Sequence, residues 1–146
     1  MTTAADLAKM ASVSRFHLHV EGKWLSALRV WMWLMVGASV GWSSWGHGEI
    51  VWSLAGLLVL PLMWGASRGR VESLALMLGY YLAGARGLPE GAVVFFGDEA
   101  PQWWGIGMWL GASILLSLPF ALAWSQVASK RAAGFVLALL VCLVPP

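Results

Sequence analysis

Charged side chains are scarce in this sequence. They make up 11% of its 146 residues, while hydrophobic residues make up 60%. Soluble domains carry roughly 25% charged residues, so the composition excludes that class and predicts an integral membrane protein. The formal net charge of +2 is too small to indicate binding of nucleic acid, and we expect no direct contact with it.

Cysteine is almost absent. The one cysteine, Cys142, lies inside the apolar run FVLALLVCLV, which excludes a disulfide within the chain and argues against a metal cluster. His17 and His19 would share one side of a strand but not of a helix, and no third ligand is near. We therefore predict no metal site and no cofactor, and we interpret Cys142 as a packing or lipid-facing residue.

The N-terminal stretch lacks the apolar segment of a cleavable signal peptide. Its first 24 positions carry charged residues throughout: Asp6, Lys9, Arg15, Glu21 and Lys23. We predict that residues 1–24 form a cytoplasmic or interfacial segment and that residues 25–146 form a transmembrane helical domain.

Tryptophan and apolar runs are abundant instead. The chain has 11 tryptophans, and this residue favours the membrane–water interface. A full crossing needs about 20 apolar residues. Five segments approach or reach that length: about 30–45, 50–66, 73–85, 103–124 and 132–144. The predicted fold class is an all-α integral membrane protein, a bundle of four to five transmembrane helices.

The basic residues predict the orientation of this bundle. Those of one group precede the first span or follow the second and fourth: Lys9, Arg15, Lys23, Arg29, Arg68, Arg70, Lys130 and Arg131. Because basic loops stay in the cytoplasm, we expect a cytoplasmic N-terminus and outer loops around His47 and Asp98. Arg86 is the exception to the pattern.

Two pairs of glycines have the spacing of helix-packing motifs in membranes. Gly37 and Gly41 lie in GASVG, and Gly107 and Gly111 lie in GMWLG. Small residues four apart let two helices approach closely. We predict that at least one of these pairs makes such a contact.

The chain breaks the third apolar run at a charge, near residues 86–97. The run stops at Ala85 and is followed by Arg86, Gly87, Leu88 and Pro89. We predict that these four residues form an anion- or lipid-binding elbow, in which Gly87 adopts angles closed to other residues and Pro89 fixes the exit direction. The piece AVVFF would then be re-entrant and pack against protein. The alternative is a helix-end arginine that reaches for lipid headgroups.

Three stretches resemble the membrane half of conjugal transfer proteins of the TraB type, which are similar to apolipoprotein N-acyltransferases. They are GYYLAGARGLPEGAVVFFG, LSLPFALAW and LVCLVPP, and the resemblance covers roughly residues 68–146. It implies a component of the bacterial inner membrane that contacts lipids, other membrane subunits or further copies of itself.

The resemblance also implies a catalytic domain that this sequence does not contain. Family members continue into a nitrilase-like domain with a Glu-Lys-Cys triad. The candidates here are Glu99, Lys130 and Cys142, which the predicted topology separates across the bilayer, so a nucleophile has no base within reach. We expect a non-catalytic scaffold or lipid-contacting module of a conjugal transfer apparatus. The alternatives are the membrane half of an acyltransferase-like or amidase-like enzyme and a small oligomeric transporter subunit.

Overall fold

The computed structural model describes residues 4–46, 50–97 and 101–143, and within these ranges the chain forms six α-helices and no strand. The helices are α1 (Ala4–Gly46), α2 (Ile50–Ala66), α3 (Arg70–Gly84), α4 (Leu88–Phe96), α5 (Gln102–Ala123) and α6 (Ala128–Leu143). The predicted all-α class is confirmed.

The first helix is continuous from Ala4 to Gly46, so no break marks the predicted boundary at residue 24. His17 and His19 both lie on this helix.

Two of the helices are long and apolar enough to cross a membrane, namely Trp24–Gly46 within α1 and Trp103–Ala123 within α5. Helix α2 is shorter, with 17 residues. Helix α3 has 15 residues, a length of about 22 Å, against a hydrocarbon core of about 30 Å. Four to five crossings therefore stay a prediction.

Helix α3 is the centre of the bundle, although it is too short to count among the candidate membrane spans. It packs against α1 on one side and α5 on the other. Its buried residues are Glu72, Ser73, Ala75, Leu76, Met77 and Gly79. Most of them are small or polar, which explains why a count of apolar residues does not reveal their burial.

The contact between α1 and α3 is made backbone to backbone. A methyl group added at Gly37 would overlap the carbonyl oxygen of Leu76, and one added at Gly41 would overlap that of Tyr80. From the other side, a methyl group added at Gly79 would overlap the carbonyl oxygen of Leu34. Glycine is therefore required on both helices for this approach.

Aromatic side chains fill the other side of α3. Phe120 of α5 is fully buried, with its ring 5.3 Å from that of Phe135 on α6. The Phe135 ring lies at the same distance, 5.3 Å, from that of Trp64 on α2. The hydroxyl of Ser73 donates a hydrogen bond of 3.2 Å to the carbonyl of Phe120, which satisfies both groups near the C-terminal end of α5.

We predict that Gly37→Ala destabilises the fold and that Gly111→Ala does not. Alanine gains about 1 kcal/mol of helix propensity over glycine, but overpacking costs about 1–3 kcal/mol. At Gly111 nothing lies within 4 Å of an added methyl group, so only the gain applies there. The free energy of unfolding, measured in detergent micelles, should fall for Gly37→Ala only. Equal stability of the two variants would contradict the close α1–α3 contact.

Candidate functional site

Two ends of the bundle each hold charged side chains with assigned contacts. At one end, Arg29 of α1 forms an ion pair with Glu72 in the first turn of α3. The second oxygen of Glu72, Oε2, accepts a hydrogen bond of 2.7 Å from the backbone N–H of Arg68. Glu72 is 8% exposed, so this carboxylate ties together α1, the turn after α2, and the start of α3.

Arg131 closes the same end between α2 and α6. Its Nη1 donates to the carbonyl of Gly65 at 2.6 Å, and its Nε donates to the carbonyl of Ser125 at 2.9 Å. Because the last carbonyls of a helix have no partner within it, the guanidinium completes the C-terminal end of α2. The sequence pattern does not indicate Glu72 or Arg131 as site residues, because each is one charged residue beside an apolar run.

Arg86 lies at the opposite end, beyond the C-terminus of α3. Its guanidinium carbon is 3.9 Å from the centre of the Trp42 ring, a cation–π contact. The Arg86 side chain also lies beside Gly46, the last residue of α1. The nearby Glu90 of α4 forms no ion pair with it.

The predicted elbow differs from the observed turn. Gly87 has φ −79° and ψ −8°, which any residue adopts, so its expected special conformation is wrong. Leu88 and Pro89 already belong to α4, where proline is tolerated because the first turn needs no N–H donor. Among the described residues, the positive φ belongs to Gly97, at 77°, which follows the end of α4.

Helix α4 is exposed over most of its surface, contrary to the prediction that AVVFF packs against protein. Val94 is 86% exposed and Phe95 is 87% exposed. Only Ala92 is buried, against Gly105 of α5, whose backbone closely approaches Pro89. The bulky residues of α4 are consecutive and so point in different directions around a short helix. Pro89, Ala92 and a contact of the Phe96 ring with that of Trp104 dock the helix on α5.

The second predicted glycine pair takes no part in a close contact between the described helices. Gly107 and Gly111 have nothing within 4 Å of an added methyl group. Their predicted contact is therefore not with the described part of this chain.

The residues proposed for a catalytic triad are not brought together. Cys142 is half-buried, with its Sγ 3.7 Å from the carbonyl oxygen of Leu116. Lys130 lies twelve positions earlier on the same helix, about 18 Å away along its axis. Glu99 lies outside the described residues. Within 4–46, 50–97 and 101–143, no group of three His, Cys, Asp or Glu residues is placed to hold a metal.

Together, the fold and these two ends define a helical bundle with two candidate membrane-crossing helices and segregated charge. The chain is 36% identical over 112 residues to the conjugal transfer protein TraB of Agrobacterium fabrum, covering 77% of this chain and 25% of that protein. It is 31% identical over 112 residues to a protein of Sinorhizobium fredii named "Probable conjugal transfer protein TraB", covering 77% of this chain and 27% of that protein.

A third relative has no described activity. It is an Agrobacterium tumefaciens protein named "Uncharacterized protein outside the virF region", 29% identical over 96 residues, which cover 66% of this chain and 59% of that protein. No family model matches the chain, and no solved structure matches it.

The comparisons confirm the resemblance to TraB and extend it. A match of 112 residues is longer than the stretch from residue 68 to residue 146, so the similarity includes part of α1 or α2. The chain spans about a quarter of the length of the two TraB relatives. None of the three relatives is named as an acyltransferase, and that part of the resemblance stays a prediction.

We predict that the Arg29–Glu72 pair stabilises the fold. A hydrogen bond to a charged group contributes about 1.5–3 kcal/mol when buried, but Arg29 is 41% exposed, so solvent screening reduces this to about 1 kcal/mol. A double-mutant cycle with Arg29→Gln and Glu72→Gln should show that coupling in the free energy of unfolding. The matched cycle with Arg29→Gln and the exposed Glu90→Gln should be additive. If the changes in the free energy of unfolding are additive in both cycles, the predicted coupling between Arg29 and Glu72 is contradicted.

Proposed function

We propose that this chain is a non-catalytic inner-membrane component of a bacterial conjugal transfer system, acting as a scaffold or lipid-contacting module in plasmid mobilisation. The similarity to two proteins named TraB, at 36% and 31% identity over 77% of the chain, is the observation that carries this proposal. The separation of Lys130 from Cys142 along α6 supports a non-catalytic role for this part of the relatives' length.

The exposed surface of the bundle supports a membrane location. Large apolar side chains face outward on several helices, including Trp31 at 63%, Leu58 at 70% and Leu122 at 70% exposed. A soluble protein rarely exposes a continuous apolar surface of this kind, whereas lipid tails solvate it. Lipid is therefore the first partner of the proposed module, followed by other membrane subunits or a second copy.

We further propose that the end holding Arg29, Arg68 and Arg131 faces the cytoplasm. The three residues meet or flank the same end of the bundle, which agrees with the positive-inside rule. Cysteines introduced at positions 48 and 100 in a Cys142→Ala background, which removes the native thiol, should then react with an impermeant thiol reagent outside intact cells. Reaction only after the inner membrane is opened would refute this orientation.

Deletion of the gene from a conjugative plasmid tests the proposed role. The transfer frequency should fall and should recover when the wild-type chain is supplied in trans. Cys142→Ser should restore transfer fully, because the cysteine has no catalytic task in the proposal. Unchanged transfer after the deletion would contradict a role in conjugation. Loss of transfer with Cys142→Ser at normal protein level would favour the enzyme alternative.

We propose that Arg86 binds an anion at the opposite end of the bundle, with Trp42 holding its guanidinium in place. Arg86→Ala should lower the transfer frequency, and Arg86→Lys should restore it only in part, since lysine keeps the charge but lacks the planar fork and its stacking. Arg70→Ala, at an exposed position on α3, is the matched control and should transfer normally. Normal transfer with Arg86→Ala would identify Arg86 as an ordinary helix-end residue.

A further inference from the structure

Hydrogen bonds hold helix α2 to its neighbours near both of its ends, and a cleft lies beside the helix between them. Near its start, the hydroxyl of Ser53 donates a hydrogen bond of 2.7 Å to the carbonyl of Ser44 on α1. At its end, Arg131 of α6 binds the carbonyl of Gly65 at 2.6 Å. Between these points lies a cleft of about 1060 Å³, bounded by α2, α3 and α6, with Ser44 and Trp45 of α1 also in its lining.

The walls of the cleft are apolar along most of its length. Leu54 and Leu60 of α2 face Met77 of α3 and Phe135 and Leu139 of α6 across it. Of the described residues that line it, Arg131 alone is charged. Walls that are mostly apolar favour a hydrocarbon chain.

Positive charge is concentrated at one mouth of the cleft. Arg131 lines it there, the exposed Lys130 is its neighbour in sequence, and the exposed Arg68 follows Gly65 by three residues. Arg131 uses three N–H groups on the carbonyls of Gly65, Ser125 and Gln126, out of the five that a guanidinium carries. Two of its N–H groups are not used in these three hydrogen bonds, and its positive charge lines the cleft.

We propose that the cleft binds one anionic phospholipid, with an acyl chain between α2, α3 and α6 and the phosphate at the end that Arg131 lines, which Arg68 and Lys130 flank in sequence. Basic pockets between membrane helices bind anionic headgroups in this manner. The proposal rests on the membrane location proposed above. It concerns a different end of the bundle from Arg86.

The length of the cleft suits one acyl chain. From Ser53 to Gly65 the cleft wall runs about 18 Å, slightly more than the roughly 15 Å thickness of one leaflet of the hydrocarbon core. A chain that starts at the basic mouth therefore lies within the cleft along its whole length in the leaflet.

Lipid retention by the reconstituted protein tests the proposal. The chain is inserted into vesicles of equal phosphatidylglycerol and phosphatidylcholine, extracted with mild detergent, washed, and its retained lipids are quantified by mass spectrometry. Phosphatidylglycerol should be retained in preference to phosphatidylcholine. Lys130→Gln should lower this preference about fivefold, as expected for one basic group beside a headgroup. Equal retention of both lipids by the wild type would overturn the proposal.

A matched pair of substitutions on α6 locates the lipid. Ala132 lines the cleft and Ala133 does not, and both are exposed. Ala132→Trp should abolish the retained phosphatidylglycerol, and Ala133→Trp should leave it unchanged. Leu54→Trp, which fills the cleft from α2, repeats the test with the exposed Leu58→Trp as its control. Indistinguishable retention within both pairs would overturn the assignment of the site.

Failure of the membrane proposal is distinguishable from failure of this one. Alkaline washing of native membranes would release a chain that is not embedded, and that outcome contradicts the proposed location. A chain that resists the wash, but retains neither lipid, contradicts only the cleft as a lipid site.

Discussion

The backbone contact between α1 and α3 is the constraint on which the rest of the structure depends. Helix α3 is short and has polar and small residues on its buried sides, so it contributes little apolar area of its own. Its position is fixed because Gly37 and Gly41 admit its backbone, and because Glu72 joins its first turn to Arg29. Once α3 is held there, Ser73 and Leu76 present the surface against which α5 packs.

Part of this arrangement can be predicted from the sequence. The four-residue spacing of Gly37 and Gly41 indicates a close helix contact, and the long apolar runs indicate helices. The partner of that contact is less visible, since Ala75 and Gly79 have the same spacing but lie in a run too short to draw attention. The Gly107–Gly111 pair shows the limit of the pattern, because identical spacing leaves open space around it. Spacing indicates which helix face is small, and three-dimensional packing decides what meets it.

The turn after α3 could not be predicted for a related reason. A glycine and a proline after an arginine indicate that the helix stops, but they do not fix the backbone angles of each residue. The chain turns at 85–87 with ordinary angles and starts a new helix at Leu88. The Trp42 ring that contacts Arg86 comes from a helix more than forty positions earlier, and no local pattern connects the two residues.

The size of the residues on facing helices explains why one part of the bundle is tight and another is open. Small residues on α1 and α3 bring those two backbones into contact. Helix α2 presents Leu60, Pro61 and Trp64 to its neighbours instead, and the Trp64 ring spans the gap to Phe135 at 5.3 Å between ring centres. Such side chains hold two helices apart wherever no partner fills the space beside them. Ser44 and Arg131 fasten the two ends of α2, and the space between them is a cleft that stays partly open to the surroundings. The bundle thus combines the closely packed pair of α1 and α3 with a mostly apolar cleft, and Arg131 places a positive charge at one end of that cleft.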